Sequence, residues 1–166
     1  KEISNIDIIS REKAIQAYNL VNKPVFVIDS AFYIEAFGTF PGTLVRRANI
    51  SEDLDFTLKL MQNIKNRNCC FVDCLTFFDG TEFYQFYGYS KGTLAYEPRG
   101  KLDEYSRSKL WQIFIPQNST KTMAEMTYKE RVERKDNHTS AKAQFMKWYT
   151  EEYQTNLKLN KKSKNF

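Results

Sequence analysis

A run of apolar, mostly β-branched residues, Pro24-Val25-Phe26-Val27-Ile28, ends on a carboxylate and a hydroxyl, Asp29 and Ser30. In an α/β protein, ligands meet the carboxyl ends of strands, so Asp29 is placed to touch one. The same pair also suits a humbler task, since Asp and Ser cap the amide groups of a following helical turn. Cys69, Cys70 and Cys74 share one apolar segment. Their number is odd, their spacing fits no zinc pattern, and the sole histidine, His138, is far away. They read as buried strand thiols in a reducing, intracellular compartment, either the cytoplasm or an organelle lumen such as the mitochondrial matrix. Lysines 158, 161, 162 and 164 concentrate part of the net charge of +5 in a basic tail. Such a tail is a solvated, flexible end that could also touch nucleic acid or another polyanion.

The elements that would position these residues follow from periodicity. Residues 6–21 read as a helix, with Ile9, Lys13, Ala14, Ala17 and Val21 at helical spacing and no internal Gly or Pro. Residues 24–28 form a short buried strand. A second helix spans 51–65, with Ser51 as N-cap and Leu54, Leu58, Met61 and Ile64 as its apolar stripe. Segments 69–78 and 82–94 are long strands joined at Asp79 and Gly80, a strong hairpin signal. Gly88 and Gly92 mark a bulge or a close backbone approach in the second of them. A last strand covers 111–115 and stops at Pro116, and residues 123–135 form a charged helix or helical turn. A final helix over 139–157 buries Ala141, Phe145, Trp148 and Tyr149.

With 166 residues, 42% of them hydrophobic, the chain supports one core, expected as a single domain over 1–157 with a basic flexible tail at 158–166. Thirteen Phe and ten Tyr predict an aromatic core. No apolar run approaches the roughly 18 residues of a membrane span, and no signal peptide is visible at the start. The first residue is Lys1 rather than Met, which suggests that further sequence lies upstream.

The stretch around Asp29, continued by Gly38-Thr39-Phe40-Pro41-Gly42, resembles the inosine triphosphate pyrophosphatase family, which carries Pro-Val-Leu-Val-Glu-Asp-Ser/Thr-Gly-Leu and then Gly-Gly-Phe-Pro-Gly. The likeness extends through Phe86, Gly88, Gly92 and Pro98-Arg99-Gly100. It continues in Phe114-Ile115-Pro116, in Thr122-Met123-Ala124-Glu125-Met126, and in Asn137-His138-Thr139, where the family has Ser-His-Arg. It implies an elongated α/β fold of two lobes, with a central mixed sheet, flanking helices and a nucleotide cleft. Family members usually dimerise, and they hydrolyse deaminated purine nucleoside triphosphates to monophosphate and pyrophosphate with magnesium. By resemblance, Asp29 is the catalytic and metal-linked aspartate. Lys13 faces phosphate, and His138, with Asn137 and Thr139, contacts the nucleotide. Each has an ordinary alternative: a cap, a surface lysine, a cap-region histidine.

Departures from the pattern are as telling. The family's magnesium glutamate falls on Ile8, and its base-reading Phe-Gly-Tyr/Trp-Asp turn falls on Ser108-Lys109-Leu110-Trp111. The arginine of Ser-His-Arg is Thr139, and Arg131 and Arg134 are stand-ins for a phosphate lysine. The N-terminal strand and the phosphate loop Thr-Gly-Asn-x-x-Lys have no counterpart, which leaves an open sheet edge for a protein or nucleic-acid partner. Positions of folding are kept better than positions of chemistry. The expectation is therefore impaired or lost catalysis and a binding or structural role in a larger assembly. The alternative is an active, divergent nucleoside triphosphate pyrophosphatase completed by residues outside this chain.

Overall fold

A computed structural model describes residues 5–134 and 139–163. Helix α1 (Ile6–Val21) leads into strand β1 (Val25–Ile34), a 3₁₀ turn at Glu35–Phe37 and the short β2 (Pro41–Gly42). After helix α2 (Leu54–Leu60) come the long strands β3 (Asn68–Phe78) and β4 (Phe83–Leu94). A 3₁₀ turn at Lys109–Gln112, strand β5 (Phe114–Pro116) and helix α3 (Tyr128–Val132) follow. The chain closes with α4 (Ala141–Trp148), a π-helical turn at Tyr149–Tyr153, and α5 (Gln154–Ser163).

The five strands make one sheet in the order β2-β1-β3-β4-β5, and every pairing among the described residues is antiparallel. This corrects the expected mixed sheet. The β3–β4 hairpin reverses the chain over four residues, and the connection through α2 brings β3 back antiparallel to β1. In the hairpin turn the Asp79 carboxylate accepts from the amides of Thr81 and Glu82. Gly80 adopts φ +101°, where a side chain would strike the Tyr18 ring.

Strand β1 differs from the short buried strand read in the sequence. It runs ten residues, and Phe26 and Ile28 are 52% and 45% exposed. β2 pairs only with Phe32 and Tyr33, so the outer edge of β1 over residues 25–31 is open among the described residues. Asp29 therefore lies in mid-strand beside that edge, not at a strand end.

Side chains alternate across the sheet, so its two faces can be read from the register. One face carries Asp29, Ala31, Cys74 and Thr76 beneath α1. The other carries Phe32 and Phe71 at one end and Leu75 and Phe77 at the other. On this second face the apolar packing divides. One cluster gathers Phe32, Phe114, Leu110 and Met61, and another joins Leu75 and Phe77 to Ala141 and Phe145 of α4. Rings of Tyr84, Phe86, Trp148, Tyr149 and Tyr153 complete the second cluster, as the aromatic composition foretold.

Four boundaries move, and the charged helix expected over 123–135 is confined to α3 (Tyr128–Val132), capped by Thr127. α2 is capped by Asp53, whose carboxylate accepts from the Phe56 amide at 3.0 Å, while Ser51 is buried and bonds Glu52. Trp111 lies on a 3₁₀ turn, not in a strand. The Ser108 hydroxyl caps that turn, and Leu110 and Ile113, three residues apart, both point into the core. α4 begins after Ser140, whose hydroxyl accepts from the Ala143 amide, and helix continues through the π turn to Ser163.

Candidate functional site

Helix α1 buries Ile6, Ser10 and Ala14, not the stripe through Lys13 and Val21 that periodicity suggested. The reason is polar. Ser10 is fully buried and accepts from the Thr76 hydroxyl at 2.7 Å. Gln85 donates to Thr76 and to the Asp7 carbonyl, while Arg11 donates to Gln85 at 3.0 Å. Hydrogen bonds to a buried hydroxyl fix the rotation of a helix more sharply than apolar contact does. With Ser10 centred on the sheet, Lys13 falls on the flank toward β1 and donates to Asp29 Oδ1.

Asp29 is only 8% exposed, yet its second oxygen has no hydrogen-bond partner. Its lysine partner is 54% exposed at the side chain. A buried carboxylate with one bare oxygen is a costly arrangement in a purely structural role. Antiparallel register sets Asp29, on the open-edge strand β1, opposite Cys74 of β3. The same register sets Ser30 opposite Asp73 on the other face, and their side chains join, Ser30 Oγ donating to Asp73 Oδ1 at 2.5 Å.

The α4 end of the molecule lies over that second face. A Cβ added at Gly88 would stand 2.7 Å from the Ala141 amide nitrogen, so glycine is what lets the helix start rest on β4. Gly88 is the register partner of Asp73. Arg134 reaches the same face and donates to the Ser90 hydroxyl. Thr139 is exposed just before the cap, and its carbonyl accepts from Gln144. Asn137 and His138 lie outside the described residues.

Of the residues named from sequence, Lys13 and Asp29 therefore meet, while Thr139 belongs to the opposite face of the sheet. Ser30 and Asp73 were missed as a pair. Only the strand register brings them together, 43 residues apart. Arg131 is not on a solvated helix face: it is buried, paired with Asp103 and set 5.3 Å over the Trp111 ring. The stretch 108–111 still makes a turn without glycine, and Trp111 packs against the core under Arg131.

Ile8 is 51% exposed. Five residues from Lys13, it stands roughly 140° around the helix, at 3.6 residues per turn. A side chain there lies on a different face of α1 from Lys13.

The cysteines are free, and burial pushes the Cys69 and Cys70 thiols above their ordinary pKa, Cys69 the further. They are neutral and poor nucleophiles at physiological pH. No group of three metal-ligating side chains occurs among the described residues. No helix among them is long and apolar enough to cross a membrane.

This arrangement has relatives among known proteins. The model of the Ham1 family matches residues 2–148, and the chain belongs to that family, the one to which its motifs pointed. It is 34% identical over 154 residues to a dITP/XTP pyrophosphatase of Saccharolobus solfataricus, covering 90% of this chain and 78% of that protein. A dITP/XTP pyrophosphatase of Thermococcus kodakarensis is 35% identical over 133 residues, covering 79% of this chain and 68% of that one. The fold matches that of the Staphylococcus aureus Ham1 protein with a TM-score of 0.68 at 21% identity, over 83% of this chain and 74% of that chain.

Proposed function

We propose that this chain is a divergent nucleoside triphosphate pyrophosphatase, completed by a phosphate loop from residues outside it. Its substrates are non-canonical purine nucleoside triphosphates, and its products are the monophosphate and pyrophosphate. The observation that carries this reading is Asp29, buried beside an open sheet edge with one oxygen on Lys13 and the other bare. The names of relatives that the chain covers over most of their length support it.

In the reaction water attacks a phosphorus of the α–β anhydride. Its oxygen stays on the product phosphate, the bridging bond breaks, and a proton must leave the water. Asp29 Oδ2 is free to orient that water or accept the proton, and Lys13 neutralises charge on a phosphate oxygen. A hard oxygen donor with a bare lone pair also fits magnesium, which binds through one or two carboxylates together with substrate phosphates. Asp29 would hold it, and the ion would supply further charge neutralisation at the phosphates. Asn137, His138 and Thr139 are proposed to contact the nucleotide.

A second reading, a nucleotide-binding or structural protein without turnover, is favoured by Trp111. At the place of a base-reading aspartate stands an aromatic ring packed beneath Arg131. One assay separates the two. Pyrophosphate release from inosine or xanthosine triphosphate, with magnesium, is expected at about 1 per second or faster for the enzyme. Absence of magnesium-dependent release from the full-length protein would leave only the binding role.

A further inference from the structure

The seam between α1 and the sheet is mostly apolar: Ile6, Ala31 and Cys74 form one buried cluster, and Ala14 is fully buried. A chain of polar side chains crosses it in one direction. Arg11 Nε donates to Gln85 Oε1 at 3.0 Å, Gln85 Nε2 to the Thr76 hydroxyl at 2.9 Å, and Thr76 to the Ser10 hydroxyl at 2.7 Å. Ser10 reaches the Cys74 carbonyl at 3.5 Å, and Cys74 is the register partner of Asp29. Gln85 Nε2 also donates to the Asp7 carbonyl at 3.0 Å. Thr76 and Gln85 are themselves register partners, so two neighbouring strands grip Asp7, Ser10 and Arg11 within a short stretch of α1. Ser10 and Thr76 are fully buried. Apolar side chains of similar volume would serve stability as well there, and the best-attested use of a buried polar contact is to fix register.

We propose that Thr76 and Gln85 are positioning residues. They clamp α1 in the rotation that sets the Lys13 ammonium on Asp29, and through Lys13 they govern turnover, a consequence that rests on the reading of that pair as the reacting site. Thr76 lies two residues along β3 from Cys74, about 7 Å, and Gln85 lies one strand further. Their bonds go to Asp7, Ser10 and Arg11, all ahead of Lys13 in α1, so they reach the pair through the helix. A helix with its side chains is about 10–12 Å across, so a rotation of about 30° carries a side-chain tip by about 3 Å. That shift breaks a hydrogen bond, and a misplacement of about 1 Å already costs up to about 10²-fold in rate. Lys13 does not supply the constraint itself. Its side chain is 54% exposed, on a flexible four-carbon stem, so its direction comes from the helix that carries it.

The test takes Thr76→Val, which keeps the shape and removes the hydroxyl, Gln85→Met, which removes the amide, and Thr76→Ser, which restores the hydroxyl. Each is made in the full-length parent and in Lys13→Ala. Pyrophosphate release from xanthosine triphosphate gives kcat and KM. Acetylation of Lys13 by acetic anhydride, measured by mass spectrometry against exposed Lys59, reports the Lys13–Asp29 contact without any turnover. Thr76→Val and Gln85→Met are expected to lower kcat/KM by about 10-fold or more, with the same split between kcat and KM as Lys13→Ala, while Thr76→Ser stays within about 3-fold of the parent. In the Lys13→Ala background neither should add more than about a 2-fold loss. Acetylation of Lys13 should rise several-fold in both, and Gln85→Met, at a half-buried position, carries the test if Thr76→Val does not fold. Losses that multiply with Lys13→Ala would place these residues in the fold alone and overturn the clamp, as would turnover or Lys13 acetylation unchanged from the parent. A parent without turnover overturns the pyrophosphatase reading, and the acetylation of Lys13 then confirms or overturns the clamp by itself.

Discussion

Replacing Asp29 by Asn should separate what the fold needs from what the reaction needs. The carboxylate is 8% exposed and has one bare oxygen. Removing an ion from such a place relieves a desolvation penalty of several kcal/mol, part of which the new amide forfeits because its NH₂ finds no acceptor. The ion pair that is lost contributes about 1 kcal/mol or less, because Lys13 is more than half exposed and water screens it. The balance for Asp29→Asn runs from neutral to a gain of about 2 kcal/mol. For a domain of this size each kcal/mol moves Tm by about 2–4 °C, so Tm should hold or rise by up to about 8 °C. Pyrophosphate release should nonetheless drop by about 10²–10⁴-fold, the contribution of a positioned acid or base. Stability gained where activity is lost marks a residue kept for function. Calorimetry and the release assay on the same preparations decide the matter. A Tm lower by more than about 4 °C with turnover intact would show that Asp29 is structural and refute its catalytic assignment.

Gly88→Ala should push the start of α4 off the sheet, because its Cβ would meet the Ala141 amide nitrogen at 2.7 Å; a loss of about 1–3 kcal/mol by urea unfolding, together with weaker nucleotide binding, is expected. Phe77→Ala removes a ring that sits 5.1–6.2 Å from those of Tyr84, Phe145, Trp148, Tyr149 and Tyr153. It should destabilise the domain by about 3–5 kcal/mol, with Phe77→Leu milder in the same thermal melt. The hydrogen bond from Arg131 holds the Asp103 carboxyl down at about 2. A folded-state pKa below the unfolded one gives stability that is present above pH 4 and is lost as pH falls from there toward 2. The urea midpoint of the parent should therefore decline over that window, and that of Asp103→Asn should decline less; parallel curves would mean the pair contributes nothing.

Local patterns reached the elements that a residue and its near neighbours decide. The Asp79 and Gly80 hairpin, the long strands and the Ala141–Phe145–Trp148 face of α4 all follow from turn chemistry and periodicity over a few residues. Where the outcome depended on a distant partner, periodicity misled. Ser10 is an unremarkable polar residue in its own helix, yet Thr76, 66 residues away, turns it into the buried centre of α1 and thereby decides where Lys13 points. Asp29 looked terminal because the apolar run stops there. In fact β1 continues, because Ser30, Phe32 and Ile34 have places opposite Asp73, Phe71 and Cys69. The family motifs singled out Asp29 and Lys13 separately, and the structure brings them together; they also implied a lost metal ligand at Ile8. Helix geometry sets that position on a different, exposed face of α1 from Lys13. Judging lost chemistry by motif alone counts positions, whereas catalysis depends on directions. What the site retains is a direction: a buried oxygen of Asp29 with no partner, on the open-edge strand itself, fixed there by a helix that polar bonds hold in a single rotation. A fold relaxed from all selection on that point would have no reason to keep the charge.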